Sequence, residues 1–316
     1  MNIFIVSKFG DSIDLAEKLA SEDNVVSVYV REKNIIVQNN LCTITRNPTA
    51  EMIKSELIIV EDDKSGEFSE RARKLKRPLL GNGKIVDKLI SDSKYGTEVL
   101  VGCGLPLSKE TTKGMGVGVG GWFVGESFLK PYFLHFNYTK FGSGDIGPHI
   151  GPMGIVGMYK LRGKIFRESL LKLETYLKSI SYVGYVGLDL LINDESLLVS
   201  GWNIGFEFPI INVMSFMHTN FSKFLFKLAI GTAKTTAVQP DIVGVGITWL
   251  ELNWLYKKPL TNRPKIISEV GMSIDEARSK VYKQIHKTLM KDEYYRVDIG
   301  LTTRYNMERL VDNGWL

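Results

Sequence analysis

From Lys140 to Tyr159 the chain reads KFGSGDIGPHIGPMGIVGMY, which sets Asp145 and His149 among six glycines and two prolines. An imidazole that titrates near neutrality can serve as acid, base or phosphate partner, and the alternative for His149 is plain packing within its loop. For Asp145 the alternative to chemistry is capping of its own backbone, a common use of aspartate in turns. Glycine carries a backbone entropy cost and proline removes a donor, so alternation this dense predicts a loop that lets backbone approach a ligand closely. The stretch reads as a loop between a β-like run and a helix, with His149 in a glycine-rich concavity. His135, His218 and His286 lack such a setting and read as structural.

The elements that position this stretch follow from apolar periodicity. Asn2 to Ser7, Val25 to Val30, Asn34 to Gln38 and Leu57 to Val60 read as strands, alternating with helices at Ser12 to Leu19, Thr49 to Ser55 and Glu67 to Lys76. Such alternation predicts a parallel α/β sheet with ligands at the carboxyl ends of its strands. Lys84 to Ser91 continues as a helix. Gly114 to Gly121 contains alternate glycines but no GK[ST], so it reads as a glycine-laced strand rather than a phosphate loop. Leucines at Leu170, Leu171, Leu173 and Leu177 predict one helix over Arg162 to Ser179, and Tyr182 to Ile192 with Leu197 to Trp202 predicts a hairpin. Near the end, Ser273 and Glu276 form a capping box that opens a helix, and YRVDIG reads as strand and turn.

At 316 residues, 44% hydrophobic and 24% charged, the chain has an ordinary globular composition with room for more than one subdomain. No apolar run is long enough to span a bilayer, and the start, MNIFIVSKFGDS, lacks a signal peptide's basic-then-apolar order, so a cytoplasmic protein without a membrane partner is expected. Cys42 and Cys103, the only cysteines, form no metal-binding or disulfide pattern. A net charge of +5 admits an anionic partner, nucleic acid included, and equally fits a solvated lysine-rich surface.

Two separated stretches carry a resemblance to a known family. Gly142, Gly144, Asp145, Gly147, Pro148, Gly151, Met153, Gly154 and Tyr159 keep the order of the loop GDGDxGPNTGGMGAY, and Tyr295-Arg296-Val297-Asp298-Ile299-Gly300 is similar to the signature YRRDIGWRAL. Both motifs belong to glycinamide ribonucleotide synthetase (phosphoribosylamine-glycine ligase), an ATP-grasp family of purine synthesis. Gly121 to Glu126 resembles the family's GFFDGEE hairpin. The resemblance implies an α/β protein: a Rossmann-like N-terminal domain over residues 1–95, a truncated ATP-grasp core with the glycine-rich substrate loop over 96–238, and a small C-terminal α+β domain over 239–316. It implies that Lys140, Gly144, Gly147, Pro148, Gly151, Gly154, Arg296 and Asp298 face substrate, with Asp145, His149 and Glu207 as the catalytic candidates.

The family's metal motif, EFNxRFGDPE, has its glutamate and asparagine on Mg2+ against the ATP phosphates. Its counterpart here is Gly201-Trp202-Asn203-Ile204-Gly205-Phe206-Glu207-Phe208-Pro209. Asn203 aligns, the glutamate position is Gly201, and Glu207 and Asp189 are the nearest carboxylates. Mg2+ on Asn203 and Glu207 is therefore the expected metal site, since magnesium takes hard oxygen ligands. The family's lid, which closes over ATP, has little counterpart between Gly104 and Gly114, so conventional use of ATP is not expected. The reading that follows is a divergent enzyme repurposed to join a glycine-like amino acid to a phosphorylated nucleoside-type acceptor, an amino-acid:DNA transferase of phage base hypermodification being one form of it. The alternatives are a catalytically inactive binding or scaffold homologue and an authentic ATP-dependent phosphoribosylamine-glycine ligase.

Overall fold

Strands buried on both faces need continuous apolar runs, and the first part of the chain supplies them. The computed structural model describes residues 1–32, 41–61, 65–81, 83–109, 111–206, 208–236, 238–239, 241–251, 265–287 and 293–316. Strands β1 (Asn2–Ser7), β2 (Val25–Val30), β3 (Thr43–Ile44), β4 (Leu57–Val60) and β5 (Leu79–Gly81) form a sheet of order β3-β2-β1-β4-β5, every pair parallel. Helices α1 (Ile13–Ala20), α2 (Pro48–Lys54) and α3 (Gly66–Lys74) make the crossovers. The strand expected at Asn34 to Gln38 lies outside the described residues, and Thr43 and Ile44 pair with β2. Helices α4 (Lys84–Ser91) and α5 (Ser93–Gly102) meet at Asp92, whose side chain accepts from the Tyr95 N–H at 3.0 Å and so caps α5.

Residues 103–114 then lead directly to the second sheet. They hold no strand among the described residues beyond a single bridge from Leu107 to Val199, too little chain for a several-stranded lid. The second sheet is antiparallel: β6 (Met115–Val124), β7 (Tyr132–Gly142), β8 (Ile146–Lys160), β9 (Val183–Ile192), β10 (Leu197–Ile204), β11 (Val243–Glu251) and β12 (Lys265–Gly271), in the order β10-β9-β6-β7-β8-β11-β12, with β13 (Glu293–Tyr294) paired to the end of β11. Helices α6 (Lys164–Arg167) and α7 (Glu174–Ser179) lie between β8 and β9. Helices α8 (Ile210–Met217) and α9 (Phe221–Ala229) follow β10, α10 (Ile274–Lys287) follows β12, and α11 (Thr303–Asp312) closes the chain.

Three expectations are corrected. The glycine-rich stretch after Lys140 is no loop leading to a helix: it forms the tip of the β7–β8 hairpin and then strand β8, paired from Tyr132↔Lys160 to Gly142↔Ile146 with register shifts between Tyr138 and Gly142. The leucine stripe after Arg162 is broken into α6, a 3-10 turn over Leu170–Leu173, and α7. There the Ser169 hydroxyl donates to the Ile165 carbonyl, the acceptor that the next α-turn would have used. YRVDIG lies beyond β13, in the turn that leads to α11. The strand at Gly114 to Gly121, the hairpin around Asn193 and the capping box stand as expected, the Glu276 N–H donating to Ser273 Oγ at 3.2 Å.

Alternation along the antiparallel sheet builds two cores. Val117, Val119, Leu134, Phe136 and Val186 face Ala277, Val281 and Ile285 of α10. On the other face Trp122, Phe133, Ile155 and Tyr185 share one cluster with α8, α9 and with Ile3, Ile5 and Leu57 of the parallel sheet, so the two sheets rest on a common apolar layer. The Trp122 ring sits 5.4 to 6.0 Å from the rings of Tyr185, Phe206, Phe221 and Phe224. Glu22, just past α1, accepts from the Phe221 and Ser222 N–H groups at 3.1 and 2.8 Å, satisfying the open start of α9 from the neighbouring unit.

Gly157 of β8 lies against the buried Phe133 ring, where an added Cβ would come within 2.1 Å of Cζ, whereas at Gly116 nothing lies within 4 Å. Gly157→Ala is expected to cost about 1–3 kcal/mol by overpacking, and Gly116→Ala to change stability by less than about 1 kcal/mol, as read from denaturant midpoints.

Candidate functional site

The two sequence motifs, about 150 residues apart, meet at one buried arginine. Arg296 has no solvent exposure and sits 5.2 Å from the Tyr138 ring. Its Nε and Nη2 donate to Asp298 Oδ1 and Oδ2 at 2.8 and 2.6 Å, and its Nη1 donates to Asp145 Oδ1 at 2.8 Å and to the Lys140 carbonyl at 3.1 Å. Four of the five guanidinium donors are thereby spent on the chain itself. Asp298 Oδ2 also accepts from the Gly144 N–H at 2.8 Å, and the Tyr294 hydroxyl donates to the Phe141 carbonyl at 2.7 Å. The turn so clamped carries left-handed backbone at Gly144 (φ 73) and at Asp145 (φ 55), a conformation an aspartate keeps only when its surroundings hold it.

Burial alone would push the Asp298 carboxyl up, but the Arg296 hydrogen bonds and the Gly144 N–H outweigh it and hold the group at about 2. Burial works against the Arg296 cation too, and its hydrogen bonds to the Asp298 and Asp145 carboxylates more than reverse it, so Arg296 stays charged. Arg296 and Asp298, expected to face substrate, are in this structure the clasp that fixes the outer part of the β7–β8 hairpin, an arm of the sheet.

The other residues expected at the substrate loop lie along that arm. Gly144, Gly147, Pro148, His149 and Gly151 are exposed, and Lys140 is half-buried. His149 stands across from Lys140 in the hairpin, and its Nδ1 is 2.9 Å from the Thr139 hydroxyl. The expected concavity around His149 is thus corrected to an outward-facing strand. Gly154 is buried, its backbone pressed to Ile299 so closely that a Cβ would lie 2.7 Å from that side chain.

The polar groups that do converge lie on the sheet face. Strand register sets Asp189 directly opposite Gly201, and Asn203, two residues along and on the same face, donates its amide to Asp189 Oδ1 at 2.7 Å. Asp189 thus stands on the neighbouring strand, opposite the position where the resembling family has its glutamate. Gly201 leaves Asp189 unobstructed, a Cβ there being 3.7 Å from Oδ2, and the space beside Gly116 is open. Burial pushes the Asp189 carboxyl up, partly offset by the Asn203 hydrogen bond, so an added cation would relieve an unfavourable buried charge. One carboxylate and one amide oxygen suit a magnesium ion held mainly by phosphate oxygens rather than an ion caged by protein. Glu207 lies outside the described residues, and among the described residues no group of three His, Cys, Asp or Glu could hold a metal.

His135, read as structural from sequence, shares this face. It is fully buried, occupies the space above Gly118, and neither ring nitrogen has a hydrogen-bond partner among the described residues. Burial pushes its imidazole down to about 4, with Asn137 beside it acting the other way, so it is neutral at physiological pH. Gly118 pairs with His135 on one side and Asp189 on the other, an adjacency that strand alternation alone could have suggested.

Because the folded Asp298 titrates below its ordinary value of 3.8, its contribution to stability is fully present above about pH 4 and is lost as pH falls toward 2. Melting curves across that window are expected to show an acid-induced loss in the native chain that is flattened in Asp298→Asn. Arg296→Met, which leaves two carboxylates without their cation, is expected to cost about 2–4 kcal/mol at neutral pH.

By sequence, no protein-family model matches the chain, and no curated protein matches it either. Solved structures do match. Phosphoribosylamine-glycine ligase from Thermotoga maritima superposes with a TM-score of 0.75 at 14% identity, over 94% of this chain and 99% of that one. The biotin carboxylase domain of a single-chain bacterial carboxylase gives 0.60 at 8% identity, over 99% of each chain. The urea carboxylase of Kluyveromyces lactis gives 0.58 at 8%, with 89% of this chain spanning 29% of that one. The likeness is one of architecture: the chain has the ATP-grasp fold seen in phosphoribosylamine-glycine ligase.

Proposed function

We propose that this protein is a group-transfer enzyme that joins a glycine-like amino acid to a phosphorylated nucleoside-type acceptor, free or within DNA. The observation that carries the reading is the hydrogen-bonded Asp189–Asn203 pair on the antiparallel sheet, in which Asn203 aligns with the resembling family's metal-binding asparagine. Asp189 and Asn203 would hold a magnesium ion there. When bound, the ion would supply charge neutralisation for phosphate oxygens as the acceptor or its leaving group reacts. Asp189 contributes the negative charge, Asn203 fixes that carboxylate's orientation, and the neutral His135 keeps a second positive charge off the face.

With a carboxylate supplied from position 189, the expectation that ATP is not used finds no support, and ATP-coupled ligation and transfer from an already phosphorylated substrate both suit the face. A non-catalytic binding protein is the second reading, favoured by Gly201 standing where the resembling family has its metal-binding glutamate.

Thermal shift with Mg2+ and ATP, amino acids, ribose phosphates, pyrophosphate and hydroxymethylated DNA separates these. A ligand at a hundred times its dissociation constant stabilises by about 2.7 kcal/mol. Magnesium-dependent stabilisation by ATP that is lost in Asp189→Asn supports the ligase form. Stabilisation by amino acid with pyrophosphate or DNA, without ATP, supports the transferase form. Equal stabilisation of the native and Asp189→Asn proteins, or none at all, sinks the assignment of this face.

A further inference from the structure

At the far end of the β7–β8 hairpin from the glycine-rich tip lies a cavity of about 400 Å³, bounded by the start of β7, the end of β8, α6 and the last residues of the chain. Its apolar wall includes Tyr132 and Phe166, whose rings lie tilted at 31° with centroids 4.7 Å apart and which belong to the core opposite the Asp189 face. Around it stand four cations: Lys130, Arg162, Lys164 and Arg167. Lys164 lies 4.2 Å from the Trp315 ring, and the Ile165 N–H donates to the Trp315 carbonyl at 3.0 Å, tying the final segment into the wall. The side chains of Lys130, Arg162 and Arg167 take part in none of the ion pairs or hydrogen bonds formed among the described residues. Glu168, the nearest acidic residue in sequence, is taken by Lys172 at 3.4 Å.

Four like charges around one opening repel one another, and folding tolerates this only at a surface where water or an anion screens them. Arginine forks match phosphate oxygens two at a time, and an aromatic wall accepts a planar base. A cavity of this volume has the size of a small-ligand site.

We propose that this cavity is a second anion site, separate from the Asp189 face, that binds the phosphate of a nucleotide with its base against the Tyr132–Phe166 wall. The nucleotide is either free or a unit of a nucleic-acid strand. The proposal stands whether or not the Asp189 face is catalytic.

The test is fluorescence anisotropy with a labelled nucleoside diphosphate and, separately, a short labelled single-stranded oligonucleotide. The proteins are the native chain, Arg162→Ala/Arg167→Ala, Asp189→Asn, and Lys223→Ala/Lys227→Ala, which removes two exposed cations of α9 as a control for overall charge. Both arginines are exposed, so the double variant is expected to melt with the native chain. The expected result is binding that weakens about tenfold or more in the arginine variant and with added salt, and that persists in Asp189→Asn and in the lysine control. Loss confined to the diphosphate assigns a free nucleotide, and loss confined to the oligonucleotide assigns a strand. With magnesium left out, so that the Asp189 face holds no phosphate, binding that the arginine variant retains, or no binding of either probe, overturns the proposal.

Discussion

A guanidinium without access to water has to be neutralised where it lies, and much of this structure is arranged around that requirement at Arg296. Asp298 is near in sequence and Asp145 is far, so the second carboxylate arrives only when the β7–β8 arm folds back onto the segment after β13. The hydroxyl of Tyr138, beneath the guanidinium, accepts from the Gly300 N–H at 3.0 Å and lies 2.8 Å from the Thr303 hydroxyl, at the start of α11. Arm, turn and final helix are thus held by one connected polar network, whose members stabilise one another through a shared low-dielectric setting. Such a network is stable when complete and costly when a single member is removed.

How much of this was legible in the sequence depends on the range of the forces involved. The parallel sheet was readable because strands such as Leu57–Val60, buried on both faces, leave an unbroken apolar run. The leucine stripe after Arg162 misled, because its spacing fits a helix while the bond from Ser169 to the Ile165 carbonyl, invisible to periodicity, ends the turn. The glycine-rich stretch misled for the opposite reason. Its composition signals a loop, yet most of its glycines serve a strand that passes close to Phe133 and Ile299. The two family-like motifs could be recognised separately, but their union through Arg296 needed three dimensions.

The candidate site was legible in half. Asn203 followed from alignment, and Asp189 from being a nearby carboxylate. That Asp189 lies opposite position 201, where the resembling family has its glutamate, depends on cross-strand register, and that register shifts by a bulge between Val199 and Gly201, which no residue spacing reveals. A motif read along one strand therefore has no means of recording a carboxylate that the neighbouring strand places opposite it.

The glycines of the antiparallel sheet have a further consequence. Gly118 is the seat of the His135 ring, and Gly120 leaves room for the Tyr185 hydroxyl, which an added Cβ would approach to 1.9 Å. Each such pair behaves as a socket and its plug contributed by different strands. Over evolutionary drift neither member can change alone: a side chain gained in the socket must be matched by a ring lost from the plug. The face on which Asp189 sits should therefore diversify in coupled two-residue steps, and its aromatic and glycine positions should vary together across descendants of this fold.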